Sequence, residues 1–224
     1  MDMVFTTLAH HHTADIIEKK SRFIADAFPI RSVADAEAAI AAVRQAHPAA
    51  RHHVYAYRIG VGVPYERFSD DGEPSGTAGR PVLEVMRRQG IDNALVVVTR
   101  YFGGILLGAN GLVRAYTEAA AAALTAAPKL RCQPMVEIVV TCDYSHYGKL
   151  EYQLAQAGIA LRDPNFADTV SFRVIVPDEH AQQTAQQFAD WTGGQARCDV
   201  CPAEYMGITP NGDVIRDVWI DPPS

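Results

Sequence analysis

Apolar side chains recur at Val33, Ala36, Ile40 and Val43 within VADAEAAIAAVRQA, the three-and-four spacing of one helical face. Ser32 stands where an N-cap belongs and Pro48 where a helix must stop, so residues 33–46 are expected to form an amphipathic helix. The period then changes to two. In HHVYAYRIGV, from His52 to Val61, Val54, Ala56 and Arg58 face one way and Tyr55, Tyr57 and Ile59 the other, as on a half-buried strand. Before the helix, Ala14 to Pro29 reads as two short strands around the basic turn EKKSR, preceded by a flexible start that holds the run His10 to His12. Further on, Pro81 suits the first turn of a helix that Gly90 ends, and ALVVVTRYF, from Ala94 to Phe102, has the texture of a central strand. A long alanine-rich helix over about 110–126 closes at Pro128.

The first part of the chain is thus β-β-α-β-α-β-α in outline. After a linker, APKLRCQP, the pattern becomes strand, helix, strand, strand, helix, strand. That β-α-β-β-α-β order describes a ferredoxin-like split βαβ domain, with both helices on one face of an antiparallel sheet. The fold class is α+β. The expected division is a domain over 1–130, a second over 131–205, and a tail over 206–224 that is irregular or adds an edge strand at VIRDVWI.

Composition narrows the setting. No apolar run reaches the ~18–20 residues needed to span a bilayer, and the N-terminus lacks the basic and apolar regions of a secretory signal. A cytoplasmic protein without a membrane partner is expected. The net charge of −6 is unevenly shared: residues 1–130 hold 14 Lys+Arg against 13 Asp+Glu, and residues 131–224 hold 6 against 13. Phosphate-bearing partners would therefore meet the first domain, because a bound polyanion needs cations to displace its counterions.

Three stretches carry candidate chemistry. RYFGGILLGANG joins a strand to a helix through Gly103, Gly104, Gly108 and Gly111, a setting in which backbone N–H groups cradle an anion. The lysine and hydroxyl of a nucleotide-hydrolysing phosphate loop are missing, since Ala109 and Asn110 follow Gly108. The glycines either contact an anion, with Arg100 and Arg114 as cations, or serve positive φ and close packing. FSDDGEPSGTAGRP concentrates Asp70, Asp71 and Glu73. These carboxylates read as a divalent-metal site or as a turn whose aspartate side chains accept from the following backbone N–H groups, with Arg100 or Arg80 as the pairing cation. Ser69, Ser75 and Thr77 are candidate nucleophiles with His52 and His53 as bases, but no nucleophile elbow, zinc-protease helix or deaminase pattern accompanies them. Cys198 and Cys201 form one C-x-x-C without a second pair at zinc-site spacing, so buried thiols are expected. Tyr101 and Phe102 beside Arg100, and Tyr55 and Tyr57 beside Arg51 and Arg58, have the aromatic-plus-cation texture of single-strand binding, although half of any such set on strands belongs in the core.

Taken together, EKKSRFIA (Glu18 to Ala25), ARHHVYAY (Ala50 to Tyr57), FSDDGEPSGTAG (Phe68 to Gly79) and VVVTRYFGGILLG (Val96 to Gly108) closely resemble the IMPACT family, in particular its bacterial YigZ-type members. The resemblance spans about residues 14–127; the second half is similar only in its β-α-β-β-α-β pattern. It implies an N-terminal domain like the second domain of a small-subunit ribosomal protein, a β-α-β sandwich, and a C-terminal domain like domain V of elongation factor G. It also implies a link to translation, which eukaryotic members regulate through protein contacts. The expectation is a non-enzymatic protein that binds RNA or a ribosome-associated partner. The binding face would comprise Lys20, Arg22, His52, His53, Asp70, Asp71, Glu73, Thr77, Arg80, Arg100, Tyr101, Gly103, Gly104 and Arg114, with no catalytic residue, metal or cofactor assigned. Two alternatives stay open: a metal-dependent hydrolase or nucleotide-handling enzyme using the Asp70-Asp71-Glu73 loop, and a protein-interaction regulator without nucleic-acid affinity.

Overall fold

The computed structural model describes residues 4–216 and Val218. The chain divides into two units, one running to Cys132 and resuming at Gly207, the other Gln133–Met206.

In the first unit, β2 (His12–Glu18), β3 (Ser21–Pro29), β4 (His52–Ile59), β5 (Tyr65–Ser69) and β6 (Ala94–Tyr101) form an antiparallel sheet in the order β2-β3-β6-β4-β5. Its central strand is the Val-rich run the sequence marks. Both faces are covered, and alternation assigns them. Val96 and Val98 pack with Val54, Ala56, Phe23 and Ala25 beneath α2 (Gly79–Gln89) and α3 (Gly108–Ala126). Leu95, Val97, Tyr57 and Ile59 pack on the opposite side beneath α1 (Val33–Ala46) through Ala36, Ile40 and Val43. Ser32 caps α1 as expected, its hydroxyl accepting from Asp35 N–H at 3.1 Å. Gly90 closes α2 in the left-handed conformation at φ 62°.

The structure departs from the sequence pattern in three places. The start is not all loose: Phe5–Leu8 forms β1 and pairs with Lys129–Cys132. Four residues with polar Thr6 and Thr7 in the middle give too short an alternation to read, and the pairing supplies the order. APKLRCQP is not a linker, because β7 (Lys129–Cys142) begins inside it. β5 was hidden by its composition, with Glu66 and Arg67 between two aromatic residues at a sheet edge.

In the second unit the rest of β7, α4 (Tyr144–Gln156), β8 (Arg162–Phe166), β9 (Val170–Pro177), α5 (Ala181–Thr192) and β10 (Arg197–Val200) give the antiparallel order β10-β7-β9-β8. This is the ferredoxin-like arrangement. Leu150 and Leu154 of α4 and Phe188 of α5 share a core with Val136, Ile138, Phe172 and Val174. β11 (Glu204–Ile208) then pairs with β12 (Val214–Ile215). Of the edge strand expected at 214–220, residues 217, 219 and 220 lie outside the described residues. No helix among the described residues is long and apolar enough to cross a membrane.

Candidate functional site

The β2–β3 hairpin turns through only two residues, Lys19 and Lys20, at φ 45° and 66°, with Glu18 paired to Ser21. Positive φ at both central positions is the signature of a type I′ turn, whose right-handed twist matches its strands and whose usual occupants are Asn and Gly. Lysine gains nothing from this conformation, which crowds its Cβ. Both lysines are exposed, and neither makes an ion pair among the described residues. The tip is held from behind. Gly103 N–H donates to the buried Ser21 hydroxyl at 3.1 Å, and a Cβ on Gly103 would stand 2.0 Å from the Lys20 carbonyl carbon. Only glycine allows that approach. Gly104, at φ 83°, completes the turn out of β6.

The acidic loop lies against the same end of the sheet, and its three carboxylates have separate tasks. Asp70 accepts from the N–H groups of Gly76, Ala78 and Gly79 at 2.9, 3.1 and 2.8 Å. It thereby caps α2, whose own N-cap residue, Ala78, has no side chain for the purpose. Asp71 accepts from His53 N–H at 2.6 Å and from Arg44 on α1 at 2.9 Å. Its carbonyl accepts from His52 Nδ1–H at 2.9 Å. Glu73 accepts from Arg100 at 2.6 Å and from the Tyr116 hydroxyl at 2.8 Å. The Arg100 and Glu73 side chains are 7% and 4% exposed, so this ion pair is sealed from solvent. The Arg100 guanidinium lies 5.5 Å from the Phe23 ring centre and 5.7 Å from that of Phe102. Burial, with the Glu73 carboxylate beside it, pushes the Tyr116 phenol well above its ordinary pKa and keeps it a donor.

The loop and the RYFGG turn therefore meet, through Glu73 and Arg100. Asp70 accepts from the following backbone N–H groups as a turn-forming aspartate should, but the cation on Asp71 is Arg44 rather than Arg100, and Arg80 instead lines a shallow hollow with Glu84 and Arg88. Thr77 is spent on the Pro74 carbonyl at 2.7 Å. His53 is buried, and burial lowers its pKa; its Nε2 lies 3.2 Å from the His47 carbonyl. Tyr101 bonds His47 at 2.9 Å, Arg22 donates to Asp15 at 2.6 Å, and Arg114 reaches Glu18 at 3.1 Å. Cys198 and Cys201 are half-buried rather than buried, and Cys201 lies beyond the end of β10. Burial pushes the thiol of Cys132, on β7, up to about 12. Among the described residues no group of three or more His, Cys, Asp and Glu side chains is arranged to hold a metal ion.

Arg44, Tyr116 and Ser21 escape sequence reasoning. A single tyrosine in an alanine-rich helix is the one available signal, since a phenol facing a core needs a polar partner. Arg100 and Glu73 also line a cavity of about 420 Å³ with His52.

The Impact N-terminal domain matches residues 19–124, and a domain of unknown function (DUF1949) matches residues 140–195. The chain is 36% identical over 178 residues to the IMPACT family member YigZ of Escherichia coli, covering 79% of this chain and 87% of that protein. It is 33% identical over 182 residues to the IMPACT family member YvyE of Bacillus subtilis, covering 81% and 84%. A crystal structure of a hypothetical protein superposes with a TM-score of 0.57 at 34% identity, over 88% of this chain and 97% of that one. With motifs, fold and relatives in agreement, the chain belongs to the IMPACT family.

Proposed function

We propose that this protein acts by binding rather than by catalysis, gripping RNA or a ribosome-associated RNA surface with the hairpin end of its first unit. Membership of the IMPACT family supports a translation-related regulatory role. The observation that carries the RNA reading is the Lys19-Lys20 turn. Two cations without ion pairs occupy backbone positions that disfavour lysine, on a tip fixed by Gly103. Arg51 lies exposed at the same end of the sheet, again without an ion pair among the described residues. A neutral turn would serve the hairpin better, so the charge is there for something outside the chain. The acidic loop does not favour a metal hydrolase, because each of its carboxylates is engaged by a different set of protein donors.

The test separates binding from folding. In a Lys19→Gly/Lys20→Gly variant the turn is relieved of strain, so the melting temperature rises while RNA affinity falls. By fluorescence anisotropy across a salt series, the slope of log K against log salt for single-stranded RNA should shrink by about 1.4 for two lost phosphate contacts. Unchanged affinity and slope, or no RNA binding by the parent chain at low salt, would overturn the reading. The exposed Ile105 and Leu106 beside the tip favour a second reading, a protein partner. Salt-insensitive binding to protein alone would select it.

A further inference from the structure

The cavity beside Arg100 has a mixed lining. Its polar residues are Arg51, His52, Glu73 and Arg100. Gly108 and Ala109, the first residues of the 19-residue helix α3, also line it. No side chain caps that helix, since Leu107 holds the N-cap position, so its first N–H groups are open to an anion. A second observation is independent of the helix: Arg51, exposed and without an ion pair among the described residues, also lines the cavity, whereas Arg100 is spent on Glu73 and its Nε is closed to solvent. Glu73 neutralises one cation and is itself occupied by Arg100 and Tyr116, which leaves Arg51 and the helix end as uncompensated positive charge. The remaining lining is largely apolar: Phe102 is 52% exposed, Leu106 84% exposed, and Leu112 is buried.

From this geometry we infer that the cavity takes a single 5′-nucleotide unit, with its phosphate toward Arg51 and the start of α3 and its base laid on Phe102. The volume of about 420 Å³ falls in the range of small-ligand sites, roughly 300–1,000 Å³. An aromatic face beside a guanidinium suits any base, whatever its sequence. A peptide carboxylate would use one cation, whereas here Lys19 and Lys20 extend the positive charge past Gly103, next in the chain to Phe102. The inference deepens the RNA reading and rests on it for the identity of the ligand. The same chemistry has two sources, a free nucleoside monophosphate and the 5′-phosphorylated end of an RNA strand.

The test is calorimetric titration of the full chain with AMP, adenosine, inorganic phosphate, and one short RNA bearing either a 5′-phosphate or a 5′-hydroxyl. Ala109→Trp fills the cavity from the exposed first turn of α3 without touching the core, and Arg51→Glu reverses charge in its polar lining. AMP should bind saturably, with adenosine at least about ten-fold weaker and both variants losing AMP by a similar factor, about 1.4 kcal/mol. Lys19→Gly/Lys20→Gly, which lie outside the cavity lining, should weaken RNA by a larger factor than AMP. Preference for the 5′-phosphorylated RNA over the 5′-hydroxyl strand identifies a strand end as the source; equal RNA binding with tight AMP identifies the free nucleotide. AMP binding that survives both variants, or phosphate binding as tightly as AMP, overturns the inference. RNA binding without AMP binding sinks the nucleotide pocket and spares the RNA reading. AMP binding without RNA binding does the reverse.

Discussion

Arg100 and Glu73 are each tolerable inside the first unit only because the other is present. Removing the arginine leaves a carboxylate sealed with one hydroxyl donor, and breaking such a buried pair costs about 3–5 kcal/mol. Arg100→Ala should therefore lower stability by that order in urea denaturation, whereas Tyr116→Phe, which removes one hydrogen bond to the carboxylate, should cost about 1.5–3 kcal/mol. An Arg100→Ala chain of parental stability would contradict the sealed pair. His53 is a second residue whose state burial dictates. Its pKa is lowered from the ordinary 6.5, so the unfolded chain takes up a proton before the folded one does. Its contribution is whole above about 6.5 and is lost as pH falls from there through the lower folded-state value. His53→Gln should flatten the stability profile over that window; a profile of unchanged steepness would place the acid sensitivity elsewhere. The sequence offers both members of the Arg100–Glu73 pair as candidates. It conceals Tyr116, because its partner lies on a loop brought near only by the packing of α3 on the sheet.

At the scale of elements, the fold was readable wherever one period ran long enough to be counted. α1, β4, β6 and the ferredoxin-like order all announce themselves by spacing, with Ser32 and Gly90 as punctuation. β1 and β5 do not, since four or five residues at an edge, half of them polar, resemble a loop until a partner strand is known. The acidic loop is ambiguous in the sequence for a related reason. Its density of charge suits a ligand as well as a turn, and Asp70 does the local work of starting a helix that lacks its own cap. Asp70→Ala should cost about 2 kcal/mol, as charge-assisted bonds to backbone donors of α2 are lost. The sign of local damage would be faster amide exchange in the first turn of α2. Uniform loss across the sheet would argue against capping.

For the molecule as a whole, charge and architecture are divided along the same boundary. The second unit, Gln133–Met206, has 4 Lys+Arg against 10 Asp+Glu, while Lys19, Lys20 and Arg51 stand at one end of the first without an ion pair among the described residues. If the proposed RNA partner is bound, it would be drawn to one unit and repelled by the other, which would orient it before any specific contact forms. The charge count is visible in the sequence. The convergence of the hairpin tip, the RYFGG turn and the start of α3 is not, since they stand about 80 residues apart along the chain and are brought together by the order β2-β3-β6.

The Lys19-Lys20 turn has one more consequence. It places two lysines, the residue type after which trypsin cleaves, on an exposed loop tip, yet a two-residue turn cannot spread into the extended strand a protease cleft requires. Cleavage there must wait for the hairpin to part from Gly103 and fray. The two exposed lysines therefore make the chain its own clock: at high protease, where cleavage outpaces reclosing, the rate of nicking reports how often that end of the sheet opens.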